Sequence, residues 1–488
     1  MSDAPTTPVR GFGRRLAGDS LVYGLGGVAN QAVAVLLVPI YARALGPEGV
    51  GITGVLNATI SLGLMLVGLA LPQAFFRWYL RESTTHAERA HVVGTTVAIR
   101  IAASLMGLAL VLLAAVPLTA VLYRGEHLLV FALAAPIVMF DTFNTIPLSF
   151  LRAERRARYY VVVSITRAVL GTILILGLVV VAGVGVVGVS IGSAVAAAAS
   201  AAIGCVALAR SRMLRFVPDP DLARKMLAFA LPFVPAGIAS WVLNLSDRPL
   251  LQVMTGSTET VGVYTLGYTA GLVINALVIQ PFSLAWGAAF WEISRSDDAP
   301  RTYARVLTWF LAIAAGMALF LSVIATDALR FLVGPAFEES RYIVPFSAFS
   351  FVLYGAYTIG ATGLSVVGRS GIVAVTMGIA AGASLALNLL LIPALGIFGA
   401  AISTLAGYLL LATLTGRASQ RHYPVPWQLG RAAAILLVAG GLSALALIGP
   451  DHALWRIGCL LLYVPILLGT GIVRASQARQ LLDVIRRR

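Results

Sequence analysis

His91-Val-Val-Gly-Thr-Thr-Val-Ala-Ile-Arg100-Ile-Ala-Ala-Ser-Leu-Met-Gly-Leu-Ala-Leu-Val-Leu-Leu-Ala-Ala-Val116 contains one arginine and no other charged side chain apart from the titratable His91. About 20 apolar residues suffice for a helix to cross a ~30 Å hydrocarbon core, so the stretch reads as a membrane helix. Arg77, Arg81 and Arg89 precede it, and the next basic residue after the run is Arg124. The alternation continues along the chain in about 14 apolar runs: Asp19 to Tyr41, Gly49 to Ala70, His91 to Val116, Leu128 to Phe150, Tyr160 to Ala182, Gly185 to Ala209 and Met226 to Leu245, then Val261 to Phe282, Tyr303 to Ala325, Tyr342 to Ser365, Ile372 to Ile392, Gly396 to Gly416, Ala432 to Ile448 and Leu454 to Val473. A chain that is 59% hydrophobic and 11% charged is far from the roughly 25% charge of soluble domains. The expected fold class is all-α: a polytopic membrane protein with 14 transmembrane helices.

Charge supplies the orientation. With the N-terminus cytoplasmic, 27 of the 35 lysines and arginines fall in the inside segments. Six lie in outside connectors (Arg43, Arg124, Arg248, Arg330, Arg341 and Arg456), and Arg100 and Arg167 lie within spans. That is the positive-inside pattern, with both termini cytoplasmic. The net charge of +15 is spread over short segments with no concentrated basic stripe, which argues against nucleic acid as a partner and for anionic headgroups. Cys205 and Cys459 stand alone in apolar runs, so neither a disulfide nor a thiolate metal site is expected. The N-terminal arginines before a long run read as an uncleaved first helix rather than a signal peptide.

The chain also repeats itself. Gly-Pro-Glu-Gly-Val-Gly-Ile at 46–52 has a counterpart in Thr-Glu-Thr-Val-Gly-Val at 258–263, an offset of 211 that also carries Arg158 to Arg369, Gly185 to Gly396 and Gly188 to Gly399. Six spans per repeat make the repeats parallel, and such halves enclose a substrate site between them. The expected division is a cytoplasmic segment 1–18, a first six-helix bundle 19–209, a linker 210–225, a second bundle 226–416, helices 13 and 14 over 417–473, and an amphipathic cytoplasmic tail 474–488.

Tyr23-Gly-Leu-Gly, the span ending Val38-Pro-Ile-Tyr-Ala-Arg43-Ala-Leu-Gly-Pro-Glu-Gly-Val-Gly51, and Ser246-Asp-Arg-Pro-Leu-Leu251 resemble bacterial polysaccharide exporters. More narrowly, the chain resembles the Wzx-type oligosaccharide flippases of the multidrug/oligosaccharidyl-lipid/polysaccharide exporter superfamily. The resemblance implies two six-helix bundles forming a V around a central cavity. It also implies alternating access, by which a polyprenyl-pyrophosphate-linked oligosaccharide is turned across the bacterial cytoplasmic membrane for cell-surface polysaccharide biosynthesis. Implied partners are that lipid-linked oligosaccharide, membrane lipids, and a polysaccharide polymerase or glycosyltransferase as candidates.

Such a cargo needs cations and hydrogen-bond donors inside the bilayer, where isolated charge is expensive. Arg100, Arg167 and Asp141 lie within spans, each roughly 13–16 Å from the cytoplasmic end at 1.5 Å per residue. Two readings compete: a neutralised pair in which Asp141 binds Arg100 or Arg167, and a cationic wall that grips pyrophosphate through arginine's bidentate fork. Their counterparts by the offset, Leu311, Val352 and Gly378, are uncharged, so the deep charge belongs to the first bundle. Asp247 and Arg248 fall by the offset in the outer half of span 7. As neighbours on a helix they are expected to point about 100° apart, each facing the cavity or an adjoining helix. Arg77, beside Trp78 and Tyr79, fits interfacial anchoring and substrate entry equally, and Asn30 and Gln31 in span 1 join Asn57, Asn144, Asn244 and Asn275 as cavity or interhelical hydrogen-bonding groups.

Gly183-Val-Gly-Val-Val-Gly188 matches a dinucleotide fingerprint but joins two apolar helices, so it reads as a tight turn and no cofactor is expected. Gly267-Tyr-Thr-Ala-Gly271 and Gly378-Ile-Ala-Ala-Gly382 have the spacing of close helix packing. Trp286, Phe290 and Trp291 fit either a sugar platform or an interface belt. The five histidines are scattered over both faces, which gives no catalytic constellation and disfavours an enzyme such as a glycan ligase or polymerase. Within transporters, the alternative is a multidrug or cation exporter of the same superfamily.

Overall fold

The computed structural model describes residues 9–211, 213 and 217–471, with side chains from Pro39 onward apart from Ala288. Asn30, Gln31, most of the expected span Asp19 to Tyr41, and the tail 474–488 lie outside the described side chains or residues. The secondary structure is helical throughout: α1 Val9–Gly68, α2 Leu71–Arg77, α3 His86–Tyr123, α4 Leu128–Ala132, α5 Ala134–Ala153, α6 Ala157–Leu176, α7 Val186–Ala209, α8 Pro220–Ala230, α9 Val234–Leu245 and α10 Asp247–Thr255. There follow α11 Thr258–Ile274, α12 Gln280–Ile293, α13 Ala299–Leu332, α14 Ile343–Gly360, α15 Thr362–Val366, α16 Ser370–Leu395, α17 Ile397–His422, α18 Leu429–Ile448 and α19 Ala453–Gly469. Among the described residues, 12 helical stretches are long and apolar enough to cross a membrane, and α19 is a shorter apolar helix of 17 residues. Of the 14 expected spans, the described residues show twelve that qualify and one short apolar helix, and the first expected run lies mostly outside the described side chains.

Local chemistry sets the boundaries. Thr85 and Glu88 form a reciprocal capping box that opens α3 at the polar end of the quoted stretch. Asp219 caps α8 by accepting from the amides of Asp221 and Leu222. Pro232 falls in the 3-10 turn Leu231–Phe233 between α8 and α9, and Pro281 follows the π turn Asn275–Ile279 between α11 and α12. Both prolines thus sit where the regular ladder is interrupted anyway.

The chain forms two compact units. The first contains residues up to Leu45 and Val55–Trp241; the second contains Gly46–Gly54 and everything from Val242. In the first, α5 packs on both α3 and α7, and α6 on α7. Its core is aromatic and aliphatic, with Phe75, Tyr79, Val93, Phe150, Val163 and Met226 all buried. In the second, α14 and α16 pack on α17, and α18 and α19 lie against α13.

Positions related by the offset of 211 share local backbone geometry. Gly185 and Gly396, related by the offset, both precede a helix with positive φ, 68° and 54°, a conformation that strains any residue with a Cβ. Within the second unit, a methyl group on Gly51 would collide with the carbonyl oxygen of Thr258, and one on Gly262 with that of Pro47. The offset of 211 pairs Gly51 with Gly262 and Pro47 with Thr258, so the contact is reciprocal, as at a local two-fold axis. Gly54 would meet the side chain of Thr265, its own equivalent, which puts that pair on the axis. Gly267 and Gly271 bring α11 close to Ser340 and Ser347, as their spacing implies. Among the described residues a Cβ on Gly378 or Gly382 would meet nothing within 4 Å, a correction to the packing reading of that pair.

At one end of the second unit, Arg456 lies inside α19 rather than in a connector. Its buried guanidinium reaches Asp327 of α13 at 2.6 Å and also bonds Asp451. The hydrogen bond from Arg456 holds the Asp451 carboxyl below the usual carboxylate range. A depressed folded-state pKa contributes stability that is present above the unfolded value of about 3.9 and is lost as pH falls through the folded value. Amide protection of α19 in hydrogen exchange is therefore expected to be constant around neutrality and to fall only below about pH 4. Asp451→Asn should remove that acid limb, and an unchanged profile in the variant would rule out the clasp.

Candidate functional site

The first unit holds the deep charges. Asp141 on α5 and Arg167 on α6 face each other in a bidentate pair, Nε to Oδ1 and Nη2 to Oδ2, both 3.0 Å. Their side chains remain 23% and 31% exposed. Of the two pairings open from sequence, Asp141 has taken Arg167.

Arg100 is different. It is 1% exposed, and neither its Nε nor its Nη1 has a hydrogen-bond partner among the described residues. The helix face that carries it is polar at both neighbouring turns. Thr96, one turn earlier, bonds its own helix at the Val92 carbonyl and lies 3.9 Å from Met226 Sδ of α8. Ser104, one turn later, is buried with its hydroxyl also unpartnered among the described residues. Further along the same face, a methyl on Gly107 would lie 3.1 Å from Val138 of α5 and Val67 of α1. Arg100 and Ser104 stand at i and i+4 on this buried face, so they offer N–H and O–H donors together. An uncompensated guanidinium in such a place is costly unless an anion shares it for part of the working cycle.

The second unit carries a filled network instead. The helix breaks at Ser246 and restarts as α10, so Asp247 occupies its first turn and its Oδ1 accepts from the Arg248 amide at 2.9 Å. Arg248 Nη1 bonds the same Oδ1 at 2.9 Å and the Asn244 carbonyl at 2.8 Å, and the guanidinium lies 4.4 Å from the Tyr268 ring centre. Tyr264 donates to the other carboxylate oxygen of Asp247, Thr404 approaches it at 3.4 Å, and Tyr408 donates to Asn244 Oδ1 at 2.7 Å. Both ionic side chains are buried. The two side chains pair although they are neighbours on α10, because the long Arg248 side chain reaches round to the same Asp247 oxygen that accepts from its own amide. Nothing in the composition marked the three tyrosines; the spacing of Tyr264 and Tyr268, one turn apart after an acidic-basic pair, was the available signal.

Other expected groups are accounted for by packing. Asn144 Nδ2 bonds Ser200 Oγ at 2.8 Å between α5 and α7. Trp286 is buried, donates to Thr362 Oγ1 and stacks on Phe282, which places it in a core and not on a sugar platform. Arg77 ends α2 with its guanidinium over Trp78 and Phe229, 5.0 and 4.9 Å from the ring centres, and 3.4 Å from Glu82.

Residues 16–294, more than half of the chain, match the model of the family described as "Polysaccharide biosynthesis protein". The chain belongs to that family. No curated protein matches it in sequence. Among solved structures, this polysaccharide biosynthesis protein is similar to an inward-facing multidrug resistance MATE family transporter of the MOP superfamily, with a TM-score of 0.65 and 16% identity over 83% of this chain and 95% of that one. It is equally similar to the lipid II flippase MurJ in an inward closed conformation, TM-score 0.65 and 13% identity over 93% and 100%. An outward-facing MATE transporter aligns at 0.55 with 16% identity over 85% and 95%. At these identities the likeness is one of fold, and it agrees with the all-helical membrane architecture expected of the superfamily.

Proposed function

We propose that this polysaccharide biosynthesis protein is a flippase that moves a polyprenyl-pyrophosphate-linked oligosaccharide across the bacterial cytoplasmic membrane. One observation carries the reading: Arg100 is buried in a membrane helix with two N–H donors unfilled among the described residues. Asp141 is already committed to Arg167, so the excess positive charge at this level resides on Arg100. Guanidinium donors left without an acceptor match the pyrophosphate oxygens in charge and geometry. A cationic cargo would need the opposite sign. Orientation with both termini cytoplasmic is part of the proposal and rests on the 27 of 35 basic residues that fall in inside segments. The activity is transport rather than catalysis.

The test is flux in proteoliposomes. Arg100→Ala is expected to lower translocation of a fluorescent lipid-linked oligosaccharide by about ten-fold or more, the scale of one lost charge-assisted hydrogen bond. Its thermal stability should hold or rise, because an uncompensated buried charge has been removed. Arg100→Lys should restore only part of the flux. If Arg100→Ala and Arg167→Ala both translocated the glycan as well as wild type, the phosphate role would be wrong. Transport of a cationic dye in place of the glycan would establish the exporter alternative.

A further inference from the structure

The second unit has an apolar groove of about 860 Å³ between α14, α17 and α18. It runs from Tyr342 and Phe398 at one end past Phe346 and Leu437 to Leu353 and Leu409. On α17 it runs from Phe398 to Leu409, twelve residues or roughly 16 Å at 1.5 Å per residue, and on α18, from Ala433 to Ile448, roughly 22 Å. These lengths are nearer to one leaflet, half of a ~30 Å core, than to the whole bilayer. The interior offers no polar group to a ligand: Ser443 donates back to the Ala439 carbonyl of its own helix, and Tyr342 accepts from Arg341 Nη2 at 2.7 Å.

A cation lies against Tyr342, the residue at one end of the groove. Arg341 lies with its guanidinium 4.7 Å from the Tyr342 ring centre. Glu338, at 3.5 Å, is its ion-pair partner, and its buried Nε has no acceptor among the described residues. An apolar slot of about one leaflet's depth with a guanidinium at its end has the polarity of a phospholipid, tail inward and phosphate at the end. We propose that the groove holds an acyl chain of a phospholipid from the leaflet at the Arg341 end, with the phosphate on Arg341. A polyprenyl chain long enough to traverse the bilayer fits the length less well, and an aqueous solute does not fit the lining. The proposal does not depend on the cargo assigned above.

Native mass spectrometry of the full chain in detergent tests it, with dioleoyl phosphatidylglycerol, dioleoylglycerol and a polyprenyl phosphate added separately and in competition. Wild type is expected to retain one phospholipid in preference to the other two. Gly440 lines the groove, and a Cβ there meets nothing within 4 Å, so Gly440→Phe should fill the slot and cut retention about ten-fold. Leu437→Trp, at a position that is 75% exposed, should do the same with no core residue changed. Arg341→Gln should weaken phosphatidylglycerol about ten-fold, the scale of a charge-assisted bond, and leave dioleoylglycerol unchanged. Equal retention by wild type and both filling variants would overturn the site. Displacement of phospholipid by polyprenyl phosphate, or a dimer lost on filling the groove, would overturn the occupant.

Discussion

Arg248→Met is expected to destabilise the protein by about 3–5 kcal/mol, the usual cost of removing one partner from a buried ion pair. The variant would strand the Asp247 carboxylate, 2% exposed, with only the hydroxyls of Tyr264 and Thr404 and the residue-248 backbone amide as donors among the described residues. Three further contacts would go with the guanidinium: the bond to the Asn244 carbonyl and the two ring faces of Tyr264 and Tyr268. The double variant Asp247→Asn/Arg248→Met removes both charges and should recover more than half of the loss, since the penalty is mainly that of an unpaired charge. Thermal unfolding in detergent for the four members of the cycle gives the coupling directly. Additive losses, or a loss below about 1 kcal/mol for the single change, would show that the pair is not the keystone of this network.

Gly262→Val should be nearly as severe, for a steric reason. The added Cβ would collide with the Pro47 carbonyl and also press on the Gly51 amide, 3.0 Å away. Backbone atoms cannot rotate aside as a flexible side chain does, so the two helix segments must separate. Overpacking of this kind costs about 1–3 kcal/mol when neighbours can yield, and more where they cannot. Gly51→Val meets the reciprocal obstacle at Thr258 and should behave alike, whereas Gly382→Val, in open space, should cost only the fraction of a kcal/mol typical of a surface change. A disulfide between Pro47→Cys and Thr258→Cys, made in a background lacking Cys205 and Cys459, reports the crossing. It should form readily in the otherwise native chain and poorly with Gly262→Val. Equal cross-linking and equal melting temperatures would mean that the segments do not cross at these glycines.

Much of this architecture is legible in the chain because the bilayer is a simple solvent. It demands long apolar helices with internally satisfied backbones, and the stretch from His91 to Val116 meets that demand without reference to any other part of the molecule. The offset of 211 was legible for a similar reason. Glycines required by close approach or positive φ, such as Gly262 and Gly396, cannot drift without cost, so the offset that joins them to Gly51 and Gly185 remains visible.

Site chemistry was legible only in part. Sequence placed Arg100, Asp141 and Arg167 at a common depth by counting residues, yet depth along a helix says nothing of azimuth. The choice of Arg167 by Asp141 depends on how α5 and α6 are rotated against each other. Asp247 and Arg248 show the same limit more sharply. Ideal helix geometry sets their Cα–Cβ directions about 100° apart, yet the reach of the arginine side chain closes the pair. The groove between α14, α17 and α18 has no sequence signature, because its lining is drawn from three separate helices whose rotation against one another the chain does not spell out.

The sequence by itself determined that this protein is built of many long apolar helices fit to cross a membrane, and its spacing led to the expectation of a one-sided basic bias and a repeated six-span unit. Those properties are sums over single residues or fixed spacings along the chain. Only the tertiary structure decided which buried charges neutralise each other and which, Arg100 foremost, are left without a partner among the described residues. Pairing depends on distances of about 3 Å between helices remote in sequence, and a small rotation of one helix about its axis is enough to make or break such a contact.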